Sequence, residues 1–256
     1  MKVFDVTADE LRDYENKLHA ASTASQQTFE KLARAKNLPT LEHDERKSAI
    51  YHAANDTVSN FSNATGSIAC DFFDAHVEGA APSEIAPQPK FIKQRLYEHI
   101  EEYEQTHELG DDEFLQLVSQ DVYTEVYHHA NRTTKHNAIK NKLRYARVPM
   151  GNACAFCLML ATRGFVYYSK TSAGDDEGHY HVHCHCKIVA GKKETKVAGY
   201  DPDGLSERVK QVADDLGMKD FSWKDMDDSA TQYALQKELL SRDADWLLTG
   251  ISPEEK

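Results

Sequence analysis

The chain has 256 residues, 40% of them hydrophobic and 28% charged, and a formal net charge of −12 at neutral pH. That length supports a packed core without disulfide staples, and the acidity argues against a general nucleic-acid binder. No run of about 18 apolar residues is present, which excludes a membrane-spanning helix. The opening MKVFDVTADELRD lacks the apolar stretch of a secretory signal, so a reducing compartment is expected, where structural disulfides are uncommon.

The first 146 residues read as helical. Residues 8–36 are rich in Ala, Glu, Lys and Leu and run into Asn37-Leu38-Pro39, a helix stop. A second helix is predicted over 43–77, closing near Gly79 ahead of a linker that carries Pro82, Pro87 and Pro89. Between Lys90 and Glu108, helical spacing puts Ile92, Leu96, Ile100 and Tyr103 on one face. Gly110 breaks that helix, and Asp111-Asp112 suit the start of the next by capping and by the helix dipole. This next helix carries Phe114, Leu117, Val118, Val122 and Val126 as one apolar stripe, and its pattern continues through Ile139 and Leu143 to Tyr145. Cys70 reads as a small core residue, and His128, His129 and His136 as surface residues of a basic helix.

Charge is segregated. From Val126 to Gly174 there is no Asp or Glu, while eight Lys and Arg residues fall there, leaving 22 basic against 42 acidic residues elsewhere. Such asymmetry can place one positive face on an acidic body. Lys135, Lys140, Lys142, Arg144 and Arg147 are the candidates to touch nucleic-acid phosphates, which need positive charge but no base reading.

Pro149 and Gly151 mark a change of pattern, and residues 147–190 hold four of the five cysteines. Cys154 and Cys157 form a C-x2-C turn, which aims two thiolates at one ion; after 23 intervening residues His181 and Cys184 repeat the three-residue offset. Zinc favours four such ligands in a tetrahedron. The expected set is Cys154, Cys157, His181 and Cys184, with Cys186 the first replacement and His183 a further one. A thiolate-rich set with ligands to spare points to a closed structural zinc rather than a catalytic one with an open position. A nucleobase deaminase would need its H-x-E near the C-x2-C, but His99-Ile100-Glu101 is 55 residues upstream within an amphipathic helix. A thioredoxin-like role for Cys154-Ala155-Phe156-Cys157 lacks the βαβ context. A metal-dependent nuclease using His181 or His183 is the alternative reading, without acidic or Asn partners at a recognisable spacing.

After Gly191 the chain turns acidic. Leu205, Val209, Val212 and Leu216 predict one short helix, and Tyr233 to Leu248 another that carries Trp246; Trp223 and Trp246 read as core residues. The expected fold class is therefore mainly α. It comprises a helical domain over 1–146, a small zinc-stapled α+β module over 147–190, and an acidic, partly helical region over 191–256.

Ala146-Arg147-Val148-Pro149, Cys154-Ala155-Phe156-Cys157, Met159-Leu160-Ala161, Arg163-Gly164 with Val166-Tyr167, Ala173-Gly174 and Tyr180-His181-Val182-His183-Cys184-His185-Cys186 are also recognisable together. Between Tyr145 and Val189 the chain resembles the minor capsid proteins of tailed phages of actinobacteria, themselves similar to the Mu F-like head-morphogenesis family. Val182 departs from the pattern, standing where an acidic residue is expected. The resemblance implies a structural virion protein without enzymatic activity, made in the host cytoplasm and packaged in few copies inside the head beside the portal protein. It implies portal and other head proteins as partners; the charge segregation, separately, makes packaged DNA an expected contact of the basic helix, and no membrane contact is expected.

Overall fold

The computed structural model describes residues 1–87, 90–106, 110–150, 153, 155–169 and 186–218, together with 230–231, 233–235, 237–239 and 241–242. Its elements in chain order are β1 (Lys2–Val3), α1 (Ala8–Ala35), α2 (His43–His76), β2 (Val77–Glu78), α3 (Lys90–Thr106), α4 (Asp111–Lys140), β3 (Arg144–Val148), α5 (Ala155–Ala161), β4 (Lys187–Gly191) and α6 (Pro202–Asp215). The protein is mainly helical, with two small antiparallel sheets, β1–β2 and β3–β4, among the described residues.

Local chemistry explains where the helices begin. Thr7 and Glu10 form a reciprocal cap at the start of α1: the Glu10 N–H donates to Thr7 Oγ1, and the Thr7 N–H donates to Glu10 Oε2 at 2.8 Å. At α4 the Gly110 N–H donates to the Glu113 carboxylate, and Asp111 and Asp112 add negative charge to the first turn. Asp201 accepts from the N–H groups of Asp203 and Gly204, with Pro202 in the first turn of α6.

Helix α4 is the axis of the molecule, packed against α1, α2, α3 and β4. Its N-terminal half faces a core of Phe29, Ile50, Val58, Ile92, Leu96 and Ile100, drawn from α1, α2 and α3. Its C-terminal half is enclosed on nearly every side, which explains one departure from the sequence reading. His128 and His129 are buried rather than on the surface; His136 is exposed as expected. The second departure is Leu117, exposed because, at about 100° per residue, it lies outside the arc of Leu115, Val118 and Val122.

A third departure is at the end of α4. The helix stops at Lys140 instead of running to Tyr145, because Lys142 turns into the left-handed region at φ 55°. The Leu143 N–H then donates to Ala138 O and the Lys142 N–H to Ile139 O, a Schellman cap. That reversal launches β3, which crosses position 146 and pairs with β4 in the register Arg144↔Gly191, Ala146↔Val189, Val148↔Lys187. Tyr145 also bridges to Tyr167 on the other edge of β3. The ribbon separates two cores. Ala146, Val148 and Val189 face α1 and α2, while Tyr145, Ile188 and Ala190 face α5 and α6. Leu205, Val209 and Val212 bury the inner side of α6, but Leu216 lies just beyond its end and is exposed. Leu235 and Leu239 join the same core, while Trp223 and Trp246 lie outside the described residues.

Candidate metal centre

Cys157 sits on α5 and Cys186 immediately before β4, both without solvent exposure, and their Sγ atoms are 3.5 Å apart. A disulfide would need about 2.05 Å, so these are two separate sulfurs. Two thiolates on one zinc, each with a bond of about 2.3 Å at a tetrahedral angle, stand about 3.8 Å apart. The observed separation is close to that edge. Strand alternation supplies the aim, since Cys186 shares its face with Ile188 and Ala190, the face that looks toward α5.

The surroundings suit negative sulfur. Arg147 of β3 is wholly buried and its Nη1 donates to Cys186 Sγ at 3.6 Å. Asn131 of α4 fixes the backbone beside it: Nδ2 donates to Cys186 O and Oδ1 accepts from Ile188 N, each at 2.9 Å. The same amide contacts His128 Nδ1 at 3.4 Å. Burial holds His128 well below the usual imidazole range, with the nearby Cys186 acting in the opposite sense, so the imidazole is neutral at pH 7.

On the opposite face of β4, Lys187 is also fully buried. Its ammonium pairs with Glu15 of α1 and donates to the Tyr127 hydroxyl at 3.1 Å, and Tyr127 donates to Glu15 at 3.0 Å. Burial lowers the Lys187 ammonium well below its usual range. Residues 186–188 are thus held from both sides, by Asn131 and Arg147 on one and by Glu15 and Tyr127 on the other.

Of the residues singled out from the sequence, the structure brings Cys157 and Cys186 together. Cys154, His181, Cys184 and His183 lie outside the described residues, and among the described residues no three metal-ligating side chains converge. Cys70 stands apart on α2, half-buried, with Asn137 Nδ2 at 3.9 Å and its thiol pushed up by burial. The candidate phosphate-binding residues divide. Lys140, Lys142 and Arg144 are exposed, whereas Lys135 and Arg147 are buried and cannot line a surface. His99, the histidine of the H-x-E, pairs with buried Asp121 at 3.0 Å.

Asn131, Lys187 and the inward turn of Arg147 were not foreseen. A lysine inside the apolar run Lys187-Ile188-Val189-Ala190 was the available signal, since a cation in a buried strand requires a partner.

No helix among the described residues is long and apolar enough to cross a membrane. Comparison with curated proteins and with solved structures found no match. The VG15 protein family matches residues 5–212, from before α1 into α6, and therefore includes the paired cysteines. The chain belongs to the VG15 protein family, a family of phage proteins.

Proposed function

We propose that this phage protein is a structural component of the head, a minor capsid protein docked at the portal, and that a structural zinc locks its β3–β4 module. Cys157 and Cys186 would be two of the ligands, completed from Cys154, His181, His183 and Cys184. The observation that carries the metal is the pair of fully buried sulfurs 3.5 Å apart beside the Arg147 guanidinium. Bound zinc would supply cross-linking rather than chemistry: a thiolate-rich donor set inside a core suits a closed site. Arg147 would offset the negative charge of the sulfurs, and Asn131 would fix the backbone that delivers Cys186, as outer partners of metal ligands do.

The head-protein role is supported by membership of a phage protein family and by the sequence likeness between Tyr145 and Val189. On this reading the protein has no enzymatic activity, assembles in the host cytoplasm and ends inside the virion head with portal and other head proteins as partners. Purification of heads from infected or induced cells tests it. The protein should copurify with portal-containing heads and stay resistant to external protease until they are opened. Absence from heads, or zinc- or magnesium-dependent nicking of plasmid DNA by the pure protein, would overturn the reading.

A further inference from the structure

We propose that Lys142, Arg144, Lys192 and Lys193 form a docking surface for the phosphate backbone of duplex DNA. The inference goes beyond the head-protein reading and does not depend on the metal.

The β3–β4 register assembles the surface. Arg144 stands opposite Gly191, so the end of the ribbon that carries Lys142 and Arg144 also carries Lys192 and Lys193, some fifty positions away in the chain. All four are exposed, and none makes an ion pair or a side-chain hydrogen bond among the described residues. Lys140 is different, since its ammonium is used on Ala81 O and Ser83 Oγ. Glu194 is the one carboxylate between Gly191 and Val197. On a chain of net charge −12, four unengaged cations at one ribbon end are a local inversion of the field.

The cap of α4 is an independent sign. Helices α4 and α6 end in the same Schellman pattern; in α6 the left-handed position is Gly217 at φ 76°, in α4 it is Lys142 at φ 55°. Glycine is the usual residue there because a Cβ is disfavoured, so a lysine holds the position against its backbone preference. Strain of this kind collects where a side chain is needed.

The chemistry of the surface selects among anionic partners. Leu143 and Tyr145, which alternate with Lys142 and Arg144 along the chain, are buried, and the exposed Tyr168 lies across the other edge of β3, opposite Arg144, so what this end of the ribbon mainly offers is positive charge. Three flexible ammonium groups and one exposed guanidinium suit evenly spaced phosphates read without regard to sequence.

The test is fluorescence anisotropy of the full chain with a labelled 30-base-pair duplex of arbitrary sequence. Binding should weaken with salt with a log–log slope of about −3.6, at about −0.9 per phosphate neutralised for four contacts. Lys142→Glu with Lys192→Glu should weaken binding at least tenfold, while Lys31→Glu with Lys36→Glu on and just after α1, an identical change in net charge, should leave it within twofold. Lys142→Gly should weaken binding while raising the melting temperature, an outcome that misfolding cannot mimic. Absent binding at low salt, equal losses in the two charge-reversal pairs, or equal affinity for anionic lipid vesicles or for polyglutamate would overturn the proposal. Copurification with heads is read separately, so failure here leaves the head assignment standing.

Discussion

Between α1, α2, α3 and α4 the molecule buries Phe29, Ile50, Leu96, Phe114 and Val122, whereas the β3–β4 ribbon buries Arg147 and Lys187 just as fully. Polar groups do enter the helical half: Asp121 and Glu125 lie on the inner side of α4. Their partners Arg95, His99 and Arg132, however, stand at its margin, in part-contact with water. In the ribbon the cations themselves are inside. The difference teaches how each region obtains a unique structure. Apolar packing tolerates approximate substitutes, while a buried cation holds its place only if one particular partner is present.

The sharpest way to break this contrast is to remove one partner. Glu15→Ala leaves the Lys187 ammonium buried with only Tyr127 beside it, and should cost about 3–5 kcal/mol in urea unfolding. The double change Glu15→Leu with Lys187→Met should recover most of that loss, because an apolar pair can replace a buried ion pair. Phe114→Ala in the helical half should cost about 3–5 kcal/mol as well, but with no second change that repairs it.

Acid offers a somewhat smaller effect. Burial pushes His129 down to about 4 and holds His128 well below its usual range. Folded pKa values below the unfolded value mean that the unfolded chain takes up protons first, so stability falls as pH drops from about 6.5 toward 4. The share of His129 is on the order of 3 kcal/mol. Glu125, pushed up by burial, acts in the opposite sense, so comparison of wild type with His129→Gln over this window isolates the histidine.

Asn131→Ala should cost about 2 kcal/mol, as it leaves Cys186 O and Ile188 N without their side-chain partner in the interior. The smallest effect is expected at the margin of the helical half. His99 is raised above its usual range, first by its hydrogen bond to Asp121. Its stabilising contribution is complete below the unfolded pKa and lost as pH rises through the folded one. Because the imidazole stands at the margin, in part-contact with water, His99→Asn should remove less than about 1 kcal/mol of this pH dependence near neutrality.

Much of the helical half was legible in sequence because apolar spacing and stop signals agree there. Asn37-Leu38-Pro39 and Gly110 fall at real boundaries, and Ile92, Leu96 and Ile100 are all buried. The end of α4 was not legible, since the residue that reverses the chain is a lysine where a glycine is the usual mark. Nor was the burial of His128 and His129: composition marks them as polar, and only the packing of α4 among α1, α2, α3 and β4 removes them from water. At the candidate centre sequence spacing marked Cys157 as a ligand and Cys186 as a reserve. Its meeting with Cys157 depends on a ribbon register that sequence spacing does not contain.

Metal content measures the central claim most directly. Elemental analysis of the purified full chain should find one zinc per molecule, lost together with cooperative unfolding of the ribbon in Cys157→Ser and in Cys186→Ser, and retained in Cys70→Ser. A folded wild-type protein without zinc, or Cys157→Ser and Cys186→Ser variants that keep it, would contradict the account.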